Sequence, residues 1–514
     1  MSGGGLGDDL LAEARRALAA GDARGCERLC RAELKRLGGA PAPLELSRLL
    51  ALALHTLKRS TEAVLHQRRA AREGGEARDF FALGAMELAS GMVEPALAAW
   101  RETLRLEPAH PYAGRNLALA LAKAGRFAEA VPVLEAAEAA YPGDAAIPRL
   151  LADVHGGLGE TGLARADYAR ALALDPQDGQ SWFLAGLIDR DQGRFREALE
   201  CFSRAVAVAP ALAAAHVDLG QMRLLLGDFA GGWPEWEWRE SNLHRGCPVS
   251  LTPPRPLRVY AEQGHGDTLQ FCRYLPLLAE RGFEITLACH PALIALMESL
   301  PGVARVVDLD REPGGEIGLL SLPWLLGTRP DSVPARVPYL SAPERPVAGR
   351  VRRGQGEGAG GGRGLAVGLV WAGNPEHRND RNRSCPFEAL APLRALAGVD
   401  FYSLQVGPAA TGAPWLTDLA PDLRDFADTA AAIMALDLVI AVDTATAHLA
   451  GALGRPVWLL LPWVPDWRWL LERADSPWYP SLRIFRQSAA GDWAGCVSRL
   501  AGALIHWKPP PGAL

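Results

Sequence analysis

The chain has 514 residues, 49% of them hydrophobic, and a formal net charge of −5 at pH 7. That length exceeds one ordinary domain and predicts about two to four. The charge gives no general attraction to nucleic acid or an anionic membrane, and no apolar run approaches the roughly 18–20 residues of a membrane span.

The first residues, MSGGGLGDDLLAEARRALAAG, lack the basic head and apolar core of a signal peptide. The 8 cysteines are scattered. Cys26 and Cys30 stand at i, i+4, but no second pair or nearby histidine completes a metal set. They read as buried or unpaired thiols in a reducing compartment, so the expected location is cytoplasmic. Leu6–Leu37 and Leu44–Arg72 have amphipathic patterning and form degenerate helix pairs within residues 1–75, placed to cap the helices downstream of them.

Pro108, Pro142, Pro176 and Pro210 are each 34 residues apart. Gly91, Gly125, Gly159, Gly193 and Gly227 keep that spacing, as do Ala96, Ala130, Ala164 and Ala198. Trp100, Leu134, Tyr168, Phe202 and Trp236 fill one equivalent bulky position. A turn glycine, a small residue, a bulky residue and a closing proline at this period resemble the tetratricopeptide repeat. Alanines let paired helices approach, the bulky residue fills the gap between repeats, and proline stops the second helix. The repeats run from about Arg78 to Pro210, a fifth continues to about Leu243 without the proline, and the domain is placed at 76–245. Such arrays bind proteins or peptides; the plainer alternative is a dimerising element or a spacer.

Trp233, Trp236 and Trp238 close the array and read as repeat core and hinge packing rather than a ligand site. Pro248, Pro253, Pro254 and Pro256 mark a stiff boundary. A strand at Leu257–Glu262 then leads into Gln263-Gly264-His265-Gly266-Asp267-Thr268 and a helix to about Arg281. Phe283–Ala288, Pro291–Leu300 and Ala304–Leu309 continue as strand, helix and strand. The loop glycines let backbone approach a ligand, and His265 or Asp267 could act as a base there. Asp267 reads equally as a helix cap. Asp308 and Asp310 give a loose Asp-x-Asp pattern without further hard ligands nearby.

Gly349–Gly364 is a glycine-rich charged linker between two βαβ regions. Beyond it, Leu365–Trp371, Val399–Gln405, Leu438–Val442, Val457–Leu461 and Leu482–Phe485 are candidate parallel strands, and Asp428-Thr429 reads as a helix start. Asn374, Arg378, Asn379, Arg381, Asn382 and Arg383 make a basic, amide-rich loop at a strand's carboxyl end, suited to a diphosphate if it is not simply solvated surface. Asp443-Thr444 follows the strand Leu438–Val442 and opens a short alanine-rich helix, whose positive end suits a phosphate. Among the dense tryptophans Trp463, Trp467, Trp469 and Trp478, interface packing is the first reading, and Arg468 is the one residue there that suggests a site.

Three motifs taken together, Gly266-Asp267-Thr268-Leu269, the loop Trp371–Pro386, and Val442-Asp443-Thr444-Ala445-Thr446-Ala447-His448-Leu449, resemble the heptosyltransferase family, and most closely its tetratricopeptide-fused bacterial relatives. The likeness covers Leu257–Gln487. It implies an α plus α/β chain: an N-terminal all-α tetratricopeptide-repeat superhelix, then a two-lobed GT-B-like parallel α/β region. The acceptor-side lobe would occupy 255–345, a linker 346–364, and the nucleotide-sugar lobe 365–505.

The resemblance further implies an inverting, metal-independent glycosyltransferase with no cofactor beyond its nucleotide-sugar co-substrate. Asp267 would be the base, with His265 as substitute, in a loop completed by Gly264, Gly266 and Thr268. Asn374, Arg383, Asp443, Thr444, Ala445, Thr446, His448 and Arg468 would bind the donor. Arg383 stands near the family's phosphate-binding lysine, and Ala445 where the family has glycine. The expected partners are the nucleotide-sugar and a protein acceptor presented by the repeats, such as flagellin or another surface protein. A lipid-linked or polysaccharide acceptor, or a non-catalytic scaffold, are the alternatives.

Overall fold

The glycines of the 34-residue period sit where a side chain would be strained. Gly91, Gly125, Gly159, Gly193 and Gly227 all have φ between +72° and +88°, the left-handed turn between paired helices. In the helix pair just before them Lys58 takes the left-handed conformation instead and interrupts the glycine spacing, while Gly21, at φ +80°, fills the equivalent turn of the first pair. The structure, a computed structural model, describes residues 5–239, 252–253, 255–351, 364–377, 379–409 and 412–510. Most of the glycine-rich linker, Pro248, Pro254 and Arg378 lie outside the described residues.

The chain forms two compact units, Met1–Ile188 and Asp189–Leu514. The division thus falls earlier in the chain than the proline-rich segment read from sequence, because the last repeat helices pack into the second unit. The first unit contains the helix pairs α1 (Gly5–Ala19) and α2 (Ala23–Leu37), α3 (Leu44–Thr56) and α4 (Ser60–Gly74), α5 (Ala77–Ala89) and α6 (Val93–Leu106), α7 (Ala113–Lys123) and α8 (Phe127–Ala140), and α9 (Ala146–Gly157) and α10 (Thr161–Leu174). α11 (Gly179–Asp191) spans the division. Ala96, Ala130 and Ala164 are fully buried, as are Trp100, Leu134 and Tyr168. Trp100 lies so close over α5 that a Cβ on Gly84 would stand 2.6 Å from its Nε1.

The second unit begins with α12 (Phe195–Val208), α13 (Ala213–Leu225) and α14 (Phe229–Trp236). Two parallel sheets follow. The first has β1 (Arg255–Tyr260), β2 (Phe283–Cys289), β3 (Val303–Asp308) and β4 (Ile317–Gly318) in the order β3-β2-β1-β4. Its helices are α15 (His265–Phe271), α16 (Leu275–Glu280), α17 (Ile294–Met297) and α18 (Leu322–Leu325). The second sheet has β5 (Leu365–Val370), β6 (Val399–Ser403), β7 (Leu416–Asp418), β8 (Leu438–Val442), β9 (Val457–Leu461) and β10 (Leu482–Arg486) in the order β10-β9-β8-β5-β6-β7. With it go α19 (Asp380–Arg383), α20 (Phe426–Ala435), α21 (Ala445–Ala452) and α22 (Trp493–Leu504).

All residues of β8 and β9 are buried, as continuous apolar runs in a parallel sheet covered on both faces should be. The short β4 and β7 escape the sequence reading, since two or three residues carry no periodicity. α20 starts earlier than Asp428: Asp425 is its cap, accepting from the Asp428 N–H at 2.9 Å, while Asp428 is buried against Arg424. The helix expected to run to Arg281 is broken by a 3-10 turn at Cys272–Tyr274.

α14 seats the second unit's last repeat on the first sheet. Arg239 forks onto Glu262 at 2.9 and 2.8 Å and reaches Glu237 and Ser321, all four side chains being buried. Trp233 donates to the Thr328 carbonyl at 2.9 Å and meets Trp467 edge-on at 5.4 Å. Trp233, Trp236, Trp467, Trp469 and Trp478 are buried packing residues, whereas Trp463 is exposed.

Candidate functional site

In each sheet the strand order reverses beside one strand, so that successive connections leave in opposite directions. In the first this falls between β1 and β4, in the second between β5 and β8. Ligands of open α/β sheets sit outside the carboxyl ends at such points. The loops that leave them carry the residues singled out by sequence: Gly264–Asp267 after β1, Asn374–Arg383 after β5, and Asp443–Thr446 after β8.

The loops after β1 and β8 meet. A Cβ on Gly266 would lie 3.0 Å from His448 Cδ2 and 3.4 Å from Ala445 Cα, so α15 and the first turn of α21 touch through a glycine. Asp267 closes the start of α15, its Oδ2 accepting from the Gly264 N–H at 2.9 Å. The capping role is therefore real. Its other oxygen, Oδ1, accepts from Nη2 of Arg468, which lies between β9 and β10 of the second sheet.

Arg468 is buried and gathers both sides. Nε donates to Gln270 Oε1 at 2.7 Å and Nη1 to Asp466 Oδ1 at 2.9 Å, and the guanidinium lies 4.4 Å from the centre of the Trp467 ring. Asp466 also caps the short turn Trp467–Trp469. Behind that turn, Leu470 holds φ +50° and ψ −170°, and Glu472 φ +53°, conformations that cost non-glycine residues energy and cluster at functional sites. Arg486 braces the segment by donating to the carbonyls of Trp469 at 2.7 Å and Arg473 at 3.4 Å.

Burial pushes the Asp443 carboxyl up to about 6, and the nearby Asp466 charge adds to the rise; the Trp469 indole, Arg468 and Arg383 pull the other way. Arg383 donates from Nη1 to the Asp443 carbonyl at 3.3 Å and from Nε to Asp380 at 3.4 Å. Gly373 makes room for it, since a Cβ there would stand 2.5 Å from Arg383 Nη2. His448 is held neutral by burial, with the Arg468 and Arg273 charges acting in the same direction. Its Nδ1 faces the Tyr479 hydroxyl at 2.9 Å, and the ring stacks on Trp469 with centroids 5.3 Å apart.

Thr444 precedes α21 with extended backbone, but its hydroxyl donates back to the Val442 carbonyl at 3.2 Å and leaves the helix start without a side-chain cap. Ala445 and Thr446 are half-buried in that first turn. His265 faces Phe426 and, edge-on, His290, with centroids 5.1 and 5.0 Å away; burial holds its pKa down, helped by the His290 charge.

Other sequence candidates do not join this centre. Asn374 is exposed and turns its Oδ1 onto the Glu376 N–H at 3.1 Å. Thr268 points into the protein, fully buried. Asp308 accepts from the Asp310 N–H at 2.9 Å and pairs with Arg311 at 3.3 Å. Among the described residues no cluster of three or more His, Cys, Asp or Glu could hold a metal ion, and no helix is long and apolar enough to cross a membrane. Gln270, Gly373, Asp466 and Arg486 were missed by sequence reasoning. Asp466, two residues before Arg468, carried the only local signal, that of a turn cap.

Known proteins bear on the two halves unequally. The family model for the tetratricopeptide repeat matches residues 81–145 and 185–236. "Protein FlbA" of Caulobacter vibrioides is 27% identical over 467 residues, covering 82% of this chain and 77% of that protein. Among solved structures, residues 41 to the end of MamA from Desulfovibrio magneticus RS-1 are 23% identical, covering 33% of this chain and 96% of that one, with a TM-score of 0.31. YrrB, described as a TPR protein with an unusual peptide-binding site, is 17% identical, covering 35% of this chain and 94% of its own, with a TM-score of 0.32. The chain is thus a tetratricopeptide-repeat protein in its N-terminal half, joined to parallel-sheet α/β structure, with a distant relative in FlbA.

Proposed function

We propose that the two parallel sheets are the lobes of a GT-B-type glycosyltransferase, and that the repeats bring it a protein acceptor. The observation that carries this reading is the meeting of the β1 and β8 loops, where Asp267 pairs with Arg468, the Arg468 and Arg383 charges act on Asp443, and Arg383 holds the Asp443 carbonyl. A nucleotide-sugar would place its diphosphate against Arg383, Arg468 and the uncapped start of α21. Asp267 would take the proton of an acceptor hydroxyl as that oxygen bonds to the anomeric carbon. The bond from that carbon to the phosphate oxygen breaks on the opposite side, and the nucleotide departs with its charge met by the two arginines. Asp443 would orient the donor sugar.

A second reading, a binding scaffold that retains the fold without turnover, is favoured by one observation: both oxygens of Asp267 are already engaged, by Gly264 and Arg468. Thermal denaturation in the presence of UDP-, GDP-, ADP- and CMP-sugars separates the two. A transferase is stabilised by its donor, and Asp443→Ala removes the shift. Stabilisation unchanged in Asp443→Ala would place donor binding elsewhere, and no shift with any donor would favour the scaffold.

A further inference from the structure

Arg468 stands between two claims. It is among the described residues a cation that touches a carboxylate of each lobe, Asp267 on one side and Asp466 on the other, and its charge also acts on Asp443. One guanidinium thus serves three carboxylates. A guanidinium's planar fork also matches a phosphate oxyanion, which would compete with these carboxylates for it. A carboxylate oxygen held by this guanidinium is already occupied, and Asp267 has its other oxygen on the Gly264 N–H, so neither is open to an acceptor hydroxyl. Beside it, the Thr268 hydroxyl and the Gln270 amide nitrogen are buried without a hydrogen-bond partner among the described residues, an unfilled polar capacity that buried groups rarely leave.

We infer that the Arg468–Asp267 pair is an autoinhibitory contact which the nucleotide's phosphate must displace, so that donor binding itself releases Asp267 to act as base. This rests on the transferase reading. The phosphate draws the guanidinium off Asp267 while Asp466 and Gln270 keep Arg468 at the site. Without donor the base stays paired, and the donor therefore binds before the acceptor can be deprotonated. The affinity of the free protein for nucleotide is reduced by the competition, as for any ligand that binds only a fraction of the population.

The test is nucleotide binding to the full-length protein by calorimetry, with UDP, GDP, ADP and CMP as probes and the tightest carried forward. Asp267→Asn removes the competing charge and keeps an oxygen for the Gly264 N–H. It should bind that nucleotide about 5-fold tighter or more, a typical coupling between linked sites. The gain should vanish when Arg468→Met is added. If that double variant does not fold, Arg468→Lys replaces it, since lysine cannot reach Asp267, Asp466 and Gln270 together. An equal gain with and without Arg468 would mean simple charge repulsion and overturn the proposal, as would unchanged or weaker binding in Asp267→Asn; the transferase reading survives both outcomes. Absence of binding in the wild type and in Asp267→Asn alike removes the transferase reading and the inference with it.

Discussion

Gly266 and His448, which follow strands of different sheets, approach so closely that a single added carbon on Gly266 would stand 3.0 Å from the imidazole. His448 cannot easily retreat, held by Tyr479 on one side and stacked on Trp469 on the other. Gly266→Ala should therefore cost stability, about 1–3 kcal/mol for overpacking, with Gly266→Val worse. Urea denaturation followed by tryptophan fluorescence measures it; an unchanged midpoint for both variants would show that α15 and α21 do not meet here.

The buried Arg239 cluster ties α14 to the first sheet. Arg239→Met removes the buried guanidinium that bridges Glu237 and Glu262, which should cost about 3–5 kcal/mol. Replacing both glutamates by glutamine in the same chain should recover much of the loss, because a buried polar set without charge is easier to accommodate. Chemical denaturation of the single and triple variants decides this, and equal losses in both would refute it.

Asp443 makes a pH-dependent contribution with a definite sign. Its carboxyl titrates at 3.8 ordinarily and at about 6 in the folded protein, so the native state binds the proton more tightly than the unfolded chain. The resulting stabilisation is complete below the ordinary value and is lost as pH rises through about 6. Asp443→Asn should flatten the stability profile between pH 4 and 7 and leave the protein more stable than wild type at pH 8. A wild-type slope that persists in Asp443→Asn would assign the titration to another group.

Arg486 has a separate task. It braces a segment in which Leu470 and Glu472 both hold positive φ. Arg486→Met should speed amide hydrogen exchange across Trp469–Arg473 while leaving β8 and β9 protected, since loss of two backbone contacts frees a local unit rather than the sheet. Unchanged exchange in that segment would show that the loop holds itself.

Legibility in the sequence followed physical range. The repeats were readable because Gly91 to Gly227 and Ala96 to Ala198 repeat a local requirement at fixed spacing. β8 and β9 were readable to the residue because both faces of each are buried, leaving an unbroken apolar run. β7 was not, being three residues at a sheet edge. Within the site, Asp267 and Asp443 were visible as acids following strands. Gln270 and Asp466 acquire their meaning only through Arg468, which lies 198 residues from Gln270 in the chain, and no local pattern records such a contact. Asp267 shows the limit most clearly: the cap and the pair with Arg468 coexist in one carboxylate, one local and one distant.

The most direct test of the central claim is turnover. Wild-type protein and Asp267→Ala are incubated with a panel of nucleotide-sugars, and released nucleotide is quantified by mass spectrometry, with and without a lysate fraction as acceptor source. The account predicts release from at least one donor by the wild type and a loss of about 100-fold or more in Asp267→Ala, as removal of a general base implies. Release at the same rate by both proteins, or from no donor at all, would contradict it.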